Sequence, residues 1–339
     1  MTIRLTISMP TYNFAHCISE TLDSLVPQLT HEVELLILDG ASSDNTPEIV
    51  NRYAARYPQI RYIRKGSRGG IDRDLAESVD LAKGEYAWIV SSDDIVRPGA
   101  VEKVLQAVTS GLDAYVCEFR ICDGTMRPIV DMPKLAPGHF GRKDWHDAEQ
   151  RAELFANANC LSVFFSFCSA VIVSRARWLS AGFDERFLGS CYAHVARMFS
   201  MIPEGFSVGY LPDVLLDKRG DNDSFQEHGQ VNRIGIDVEG FNRLGNTFFG
   251  RESREAYHIR RILRGMIGIN RLFSIKMNCV LSNNMADRRR LDGLVFDLYN
   301  DPGWKNRLKH FLYKFTPFRV YRGVNVIYKP LKRFLGISY

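Results

Sequence analysis

Several things are missing from these 339 residues, and each absence narrows what the chain can be. Nowhere do about 18 uncharged apolar residues run together, so no transmembrane helix is expected. The first residues, MTIRLTISMP, have a short apolar run and no cleavage-site pattern, and read as a strand rather than a signal peptide. No CxxC pair or regular framework links the seven cysteines, at positions 17, 117, 122, 160, 168, 191 and 279. They read as reduced core thiols of a cytosolic protein. Internal repeats and low-complexity segments are absent. Acidic residues are missing altogether after Asp301, where nine of the 44 lysines and arginines lie. The rest of the chain therefore carries 35 cations against 39 carboxylates, and the charge asymmetry points to an anionic surface as partner for the end of the chain.

What remains is ordinary globular material, 45% hydrophobic and 24% charged, with room for a large core. The first 120 residues alternate strand and helix. Strands are expected at 3–8, 33–39, 60–64, 86–91 and 113–119. VELLILD at 33–39 is apolar throughout, as a strand buried on both faces should be. Helices are expected at 14–28, after Asp44 or Asn45 with Pro47 in the first turn, at 71–82 and at 98–109. Such βα repeats imply an α/β fold, a mostly parallel doubly wound sheet with right-handed crossovers. Further on, 126–139 reads as a long loop or hairpin, 143–157 as a helix, 169–174 as a strand, 190–201 as a helix and 210–219 as a strand. Beyond about 228 the pattern is helical. Three regions result: an α/β domain at 1–225, a helical region at 226–302 and a basic tail at 303–339.

The tail splits into two amphipathic helices. Trp304, Leu308, Phe311, Leu312 and Phe315 form one apolar stripe, and Phe318, Tyr321, Val324, Ile327, Tyr328 and Leu331 the other. Aromatic stripes beside basic faces suit helices lying in a membrane interface. The alternative is a helical subdomain packed on the body.

In an open parallel sheet, ligands bind at the carboxyl ends of the strands. The residues there are Pro10, Thr11, Tyr12 and Asn13 after the first strand, Asp39 to Asp44 after the second, a loop reaching Asp72 after the third, and Ser91, Ser92, Asp93 and Asp94 after the fourth. Side-by-side carboxylates repel, and a divalent cation bridging them to a polyphosphate would suit them; Mg²⁺ or Mn²⁺ takes such hard oxygen ligands. Tyr12 is placed to stack on a base, and Asp39 to accept from a base N–H.

The motifs MPTYN, LDGASSDNT, GID, KGEY and SSDD occur in order and at the usual distances. Together they resemble a family 2 glycosyltransferase of the GT-A fold over roughly residues 3–220. The resemblance implies that Asp39 and Tyr12 hold the nucleotide base with Pro10 and Thr11 beside them. Asp93 would face ribose or metal, and Asp94 would ligate Mn²⁺ or Mg²⁺. The stretch GGIDRDLAESVDLAKGEYAWIVSSDDI is similar to abequosyltransferase-like O-antigen enzymes, whose donor would be a CDP-linked 3,6-dideoxyhexose. Asp72 stands where the common family wording has tyrosine, which makes it a donor-contact candidate or else a helix cap. One departure is clear: no Glu-Asp pair follows the GFDE turn. His194 is the candidate base in its place, because its unperturbed pKa lies near working pH, with Asp184 or Glu185 as alternatives. In KRGDNDSF, Arg219 is expected to clamp the leaving diphosphate, supported by Asn222 and Ser224. FFSFCSAVIV reads as sheet core without chemistry, and GSRGG at 66–70 is too short for a dinucleotide fingerprint.

The implied activity is transfer of a sugar from a CDP-, UDP- or dTDP-sugar to a lipid-linked saccharide, in O-antigen or surface polysaccharide synthesis, by a peripheral protein on the inner face of the cell membrane. A nucleotidyltransferase would need a Gly-rich cationic loop that MPTYNFAH lacks. Nucleic-acid binding would not explain an acidic rim. A non-catalytic nucleotide-sugar-binding protein is the remaining alternative.

Overall fold

The computed structural model describes residues 2–130, 133–223, 225 and 228–317. The expected second tail helix, at 318–331, lies outside them. The chain divides into two compact units, one of residues 1–224 with 243–258, the other of residues 225–242 with 259–339.

The first unit is built on a ten-stranded sheet: β1 Leu5–Thr11, β2 Val33–Asp39, β3 Ile60–Arg64, β4 Tyr86–Ile89, β5 Ile95–Val96, β6 Ala114–Cys122, β7 Pro128–Val130, β8 Gly141–Asp144, β9 Val171–Ser174 and β10 Ser207–Lys218. The main path runs β3-β2-β1-β4-β9-β6-β10-β5. The ladders β3–β2–β1–β4 and β6–β10 are parallel, and β9 is inserted antiparallel between β4 and β6. VELLILD is buried at every position, which explains its unbroken apolar run. The helices α1 Ile18–Leu25, α2 Thr46–Ala54, α3 Ile71–Asp80 and α4 Ala100–Ala107 return the chain between the early strands. Gly84 of KGEY is required by a close approach: a Cβ there would lie 2.5 Å from Thr6 N.

In the middle of the chain one expectation resolves between its alternatives and one changes. Residues 126–139 contain β7, which folds back on β6 as a hairpin arm. The helix expected from 143 starts only at Ala148, as α5 Ala148–Asn157, with Asp147 capping it through Glu149 N and Gln150 N. Its would-be first residues are strand β8, where Lys143 pairs with Val208. The polar segment GRKD resembles a helix start because it lies at the sheet edge and has no alternating buried face. Three helices matter below: α6 Arg175–Ser180, α7 Ala193–Ser200 and α8 Gln230–Phe248. All seven cysteines are free thiols, five of them buried.

In the second unit lie the start of α8 and most of α9 Arg254–Ile267, with α10 Ile269–Leu281, α11 Met285–Tyr299 and α12 Trp304–Phe315. Asp301 fastens it, accepting from Arg260 Nε at 2.7 Å and from Arg264 Nη1, all three side chains nearly buried. On α12 only Tyr313 is buried; its hydroxyl donates to Asp292 Oδ1 at 2.7 Å. No helix among the described residues is long and apolar enough to cross a membrane.

Candidate active site

The strand order places the site. From β1 the chain moves through β2 to β3 on one side, then returns to β4 on the other. The reversal opens a crevice at the carboxyl ends of β1 and β4, the switch point where open α/β sheets bind ligands. MPTYN and SSDD meet there: Ser92 Oγ donates to Pro10 O at 3.2 Å, and Thr21 Oγ1 donates to Ser92 O at 3.0 Å.

The parallel register aligns Thr11, Asp39 and Arg64 in one row across β1, β2 and β3. Thr11 is 4% exposed, yet its Oγ1 has no hydrogen-bond partner. A buried hydroxyl with no partner at a ligand rim is costly unless a ligand completes it. Tyr12 follows, its ring faced by the Arg68 guanidinium 4.0 Å from the centroid. The polar residues of ASSDNT latch the two loops together. Asn13 N donates to Ser42 Oγ at 2.9 Å, Ser43 N to Asn13 Oδ1 at 2.8 Å and Ala15 N to Asp44 Oδ2 at 3.0 Å. Burial works against the Asp44 anion, but hydrogen bonds from the Thr46 hydroxyl and from the Ala15 and Thr46 amides outweigh it and hold the carboxyl below its ordinary range.

Asp39 lies deeper than its expected base contact requires. It is fully buried; Oδ1 accepts from Ser42 N at 2.8 Å and Oδ2 from the Tyr62 hydroxyl at 2.7 Å. Direct contact with a base would have to open the cover over this carboxylate.

The acidic pair is unequal. Asp93 is half-buried; Oδ1 accepts from Ser91 Oγ, and Oδ2 from Asn222 Nδ2 at 2.9 Å. Asn222 Oδ1 in turn faces His16 Nε2 at 3.3 Å. Asp94 is 2% exposed, with Oδ2 accepting from Ser169 Oγ at 2.6 Å and Oδ1 from Arg219 N at 3.1 Å. Burial, and then the neighbouring Asp93 charge, push the Asp94 carboxyl up to about 7. Such a pair fits a divalent cation, which removes the penalty of holding both charges. Among the described residues no three His, Cys, Asp or Glu side chains are gathered to hold a metal. Mg²⁺ and similar ions that arrive with phosphates need only one or two carboxylates from the protein.

Ser169 is the residue missed. It sits in FFSFCSAVIV, expected to be inert core, but besides binding Asp94 it accepts from Ser91 N at 3.0 Å. The contact spans 75 residues and leaves no local pattern in the sequence.

Arg219 is spent differently from its expected role as a diphosphate clamp. Its side chain is only 8% exposed, and it donates to Asp93 O at 2.9 Å, Gly124 O at 3.0 Å and Glu20 Oε2 at 2.7 Å. It fastens the acidic turn to its neighbours. Asp72 likewise faces the protein's own backbone. Oδ2 accepts from Gly189 N at 2.8 Å and Cys191 N at 3.2 Å, and Oδ1 from Ala193 N at 3.1 Å. It therefore organises the segment leading into α7 rather than capping its own helix.

His194, in the first turn of α7, is 5% exposed, and its Nε2 lies 2.9 Å from Phe165 O. Since a carbonyl only accepts, Nε2 carries the proton and Nδ1 is the basic nitrogen. Burial lowers its pKa below the usual histidine range, which keeps the ring neutral near pH 7. Asp184 is unsuited to be a base. It caps the turn Glu185–Phe187 through Arg186 N and pairs with the Arg186 guanidinium, which holds its carboxyl below the ordinary range. Glu185 pairs with Arg73. One short segment touches both ends of the site: Phe165 O meets His194, and four residues on, Ser169 meets Asp94. A span of four residues reaches at most about 14 Å. Ser224 lies outside the described residues.

Residues 6–172 match the family model of glycosyl transferase family 2. Over 261 residues the chain is 30% identical to the abequosyltransferase RfbV of Salmonella typhimurium, covering 73% of this chain and 76% of that one. A hyaluronan synthase of Pasteurella multocida is 25% identical over 249 residues, 72% of this chain and 24% of that one. Among solved structures, residues 1–349 of S. aureus TarS with UDP-GlcNAc superpose with a TM-score of 0.61 at 16% identity, covering 96% of this chain and 92% of that one. The Pyrobaculum calidifontis mannosyltransferase PcManGT, solved with GDP-Man and Mn²⁺, gives 0.52 at 16% identity, covering 100% and 89%. At these identities the structural likeness is one of fold, and that fold is GT-A.

Proposed function

The chain belongs to glycosyl transferase family 2, and from that premise we propose that it moves a sugar from a nucleotide-diphosphate donor to a saccharide hydroxyl, with the acidic pair at the crevice receiving the donor's diphosphate. The observation that carries this reading is Asp94: a carboxyl buried beside a second carboxyl, with its pKa raised to about 7, on the rim it shares with Thr11 and Tyr12. Mn²⁺ or Mg²⁺ at Asp94, with Asp93 beside it, would supply positive charge to the leaving diphosphate. The protein's own groups do the rest. Thr11 and Tyr12 hold the nucleoside. Arg219 and Asn222 keep the acidic turn in shape. His194 Nδ1 takes the acceptor hydroxyl's proton, its ring fixed by Phe165 O. Asp72 orders the segment that carries His194.

In this reading the donor is a CDP-linked 3,6-dideoxyhexose or a related CDP-, UDP- or dTDP-sugar, and the acceptor is a lipid-linked saccharide of O-antigen or surface polysaccharide synthesis. The likeness to an abequosyltransferase over most of both chains supports it. The test is nucleotide release by the full chain with Mn²⁺ and each donor. Release from at least one donor, faster with a lipid-linked oligosaccharide, is expected. No release from any donor would leave the non-catalytic binding protein.

The acceptor reading places the protein on the inner face of the cell membrane, and α12 supports it. The predicted stripe is exposed rather than packed: Trp304 is 69% exposed, Phe311 57% and Phe315 58%. Lys305, Arg307, Lys309 and Lys314 are exposed beside it. Each cation near an anionic leaflet contributes about 1 kcal/mol. Phe311→Ser combined with Lys305→Glu and Lys309→Glu should weaken binding to phosphatidylglycerol-containing vesicles by at least about tenfold in a flotation assay. Unchanged partition would refute the surface.

A further inference from the structure

The base end of the donor site inverts the expected exposure. Asp39, which the family resemblance assigns to the base, is fully covered, with one oxygen engaged by Ser42 N and the other by the Tyr62 hydroxyl. The exposed group in that row is its ladder partner, Arg64, whose side chain is 53% exposed. Arg64 is anchored on one side only. Its Nη2 donates to Ser42 O at 2.7 Å, and its Nε lies 3.8 Å from Asp39 Oδ2. Asp39 thus serves as the counter-charge that orients a guanidinium, and that guanidinium presents the remaining N–H groups.

A planar fork of N–H donors pairs best with two adjacent acceptors. Guanine offers such a pair in O6 and N7, the commonest partner of arginine among the bases. Cytosine offers one in O2 and N3. Uracil and thymine do not, because their carbonyl oxygens are separated by N3–H. Reading that edge needs an acceptor between two donors, and the carboxylate in this row, although each oxygen can accept once more, is fully covered. We propose that Arg64 reads the donor's base and selects a nucleoside diphosphate whose base carries two adjacent acceptors, cytosine or guanine, over one carrying uracil or thymine. The assignment rests on the donor site proposed above, and it gives a specificity role to a residue outside every motif in the sequence.

Calorimetric titration of the full chain with CDP, GDP, UDP and dTDP in the presence of Mn²⁺ tests it. CDP or GDP is expected to bind at least about tenfold tighter than UDP and dTDP, the usual discrimination of a two-pronged contact. CDP tight and GDP weak identifies the cytosine edge; the reverse identifies guanine. Arg64→Gln should remove the preference while leaving UDP affinity within about twofold. Arg64→Lys, which keeps the charge and loses the fork, should remove it as well. UDP binding as tightly as CDP and GDP to the unaltered protein, or a preference that survives in Arg64→Lys, would overturn the assignment with the donor site intact. No binding by any of the four would overturn the donor site and the assignment together.

Discussion

Replacing Asp94 by asparagine should lower sugar transfer at least about a hundredfold and, at pH 8 without metal, make the fold harder to melt. The two effects have one cause. Asp94 is a carboxyl held where a charge is unfavourable, buried and beside Asp93. Loss of the anion removes the group that would hold the cation, and charge stabilisation of a leaving group amounts to several kcal/mol of barrier. The stability effect follows from linkage. The folded carboxyl titrates near 7 and the unfolded one near 3.8, so the folded state binds the proton more tightly. Below 3.8 both states are protonated and Asp94 has no pH-dependent cost. Between 3.8 and about 7 stability falls as pH rises, and above about 7 the whole cost is present. Asparagine keeps the shape: its oxygen accepts from Arg219 N, and its amide donates to Ser169 Oγ. The gain at pH 8 should be on the order of a few kcal/mol, shrinking to nothing by pH 3. Thermal melts at both pH values in EDTA, with turnover measured in Mn²⁺, decide the matter. Turnover close to that of the unaltered protein, or a melting difference independent of pH, would sink the role given to Asp94.

The second large effect is expected at His194. With alanine there, turnover should fall by roughly 10²–10⁴, the usual worth of a positioned general base. Donor affinity should stay within about twofold, because the imidazole contacts Phe165 O and none of the donor-rim residues in the described hydrogen bonds. The pH profile gives a further check. Burial lowers the pKa of His194, so its acid limb belongs below the ordinary histidine value, and activity lost as pH falls marks protonation of Nδ1. Titration of donor binding by calorimetry beside steady-state kinetics separates the two readouts. A His194→Ala protein with near-normal turnover would remove it as the base, and the base would have to be sought elsewhere.

Much of the architecture was legible because it is local. VELLILD announces a strand buried on both faces, and the structure buries all seven residues. SSDD follows a buried strand and stands at the switch point, as a run of apolar residues ending in carboxylates suggested. What stayed hidden depends on contacts between distant segments. Ser169 reaches Asp94 across 75 residues, and Asp72 reaches Ala193 across 121, so neither leaves a period in the sequence. Arg219 looked like a free phosphate ligand because its three acceptors, near residues 20, 93 and 124, come together only in the fold. Asp39 looked available because nothing in LDGASSDNT shows that Tyr62, one strand away, covers it. Strand β5, two residues long, is too short to show a pattern.

The loop before α7 has one more consequence. Gly189 and Cys191 both take positive φ, and the loop turns three N–H groups onto one carboxylate. Converging amides of this kind make a concavity that attracts anions in general. Left open, it would be a decoy for the phosphates of an incoming donor. Asp72 plugs it from within. The molecule has supplied that trap with an anion of its own, and in the donor site proposed above a diphosphate would be left with the rim of β1 and β4 as its place to land.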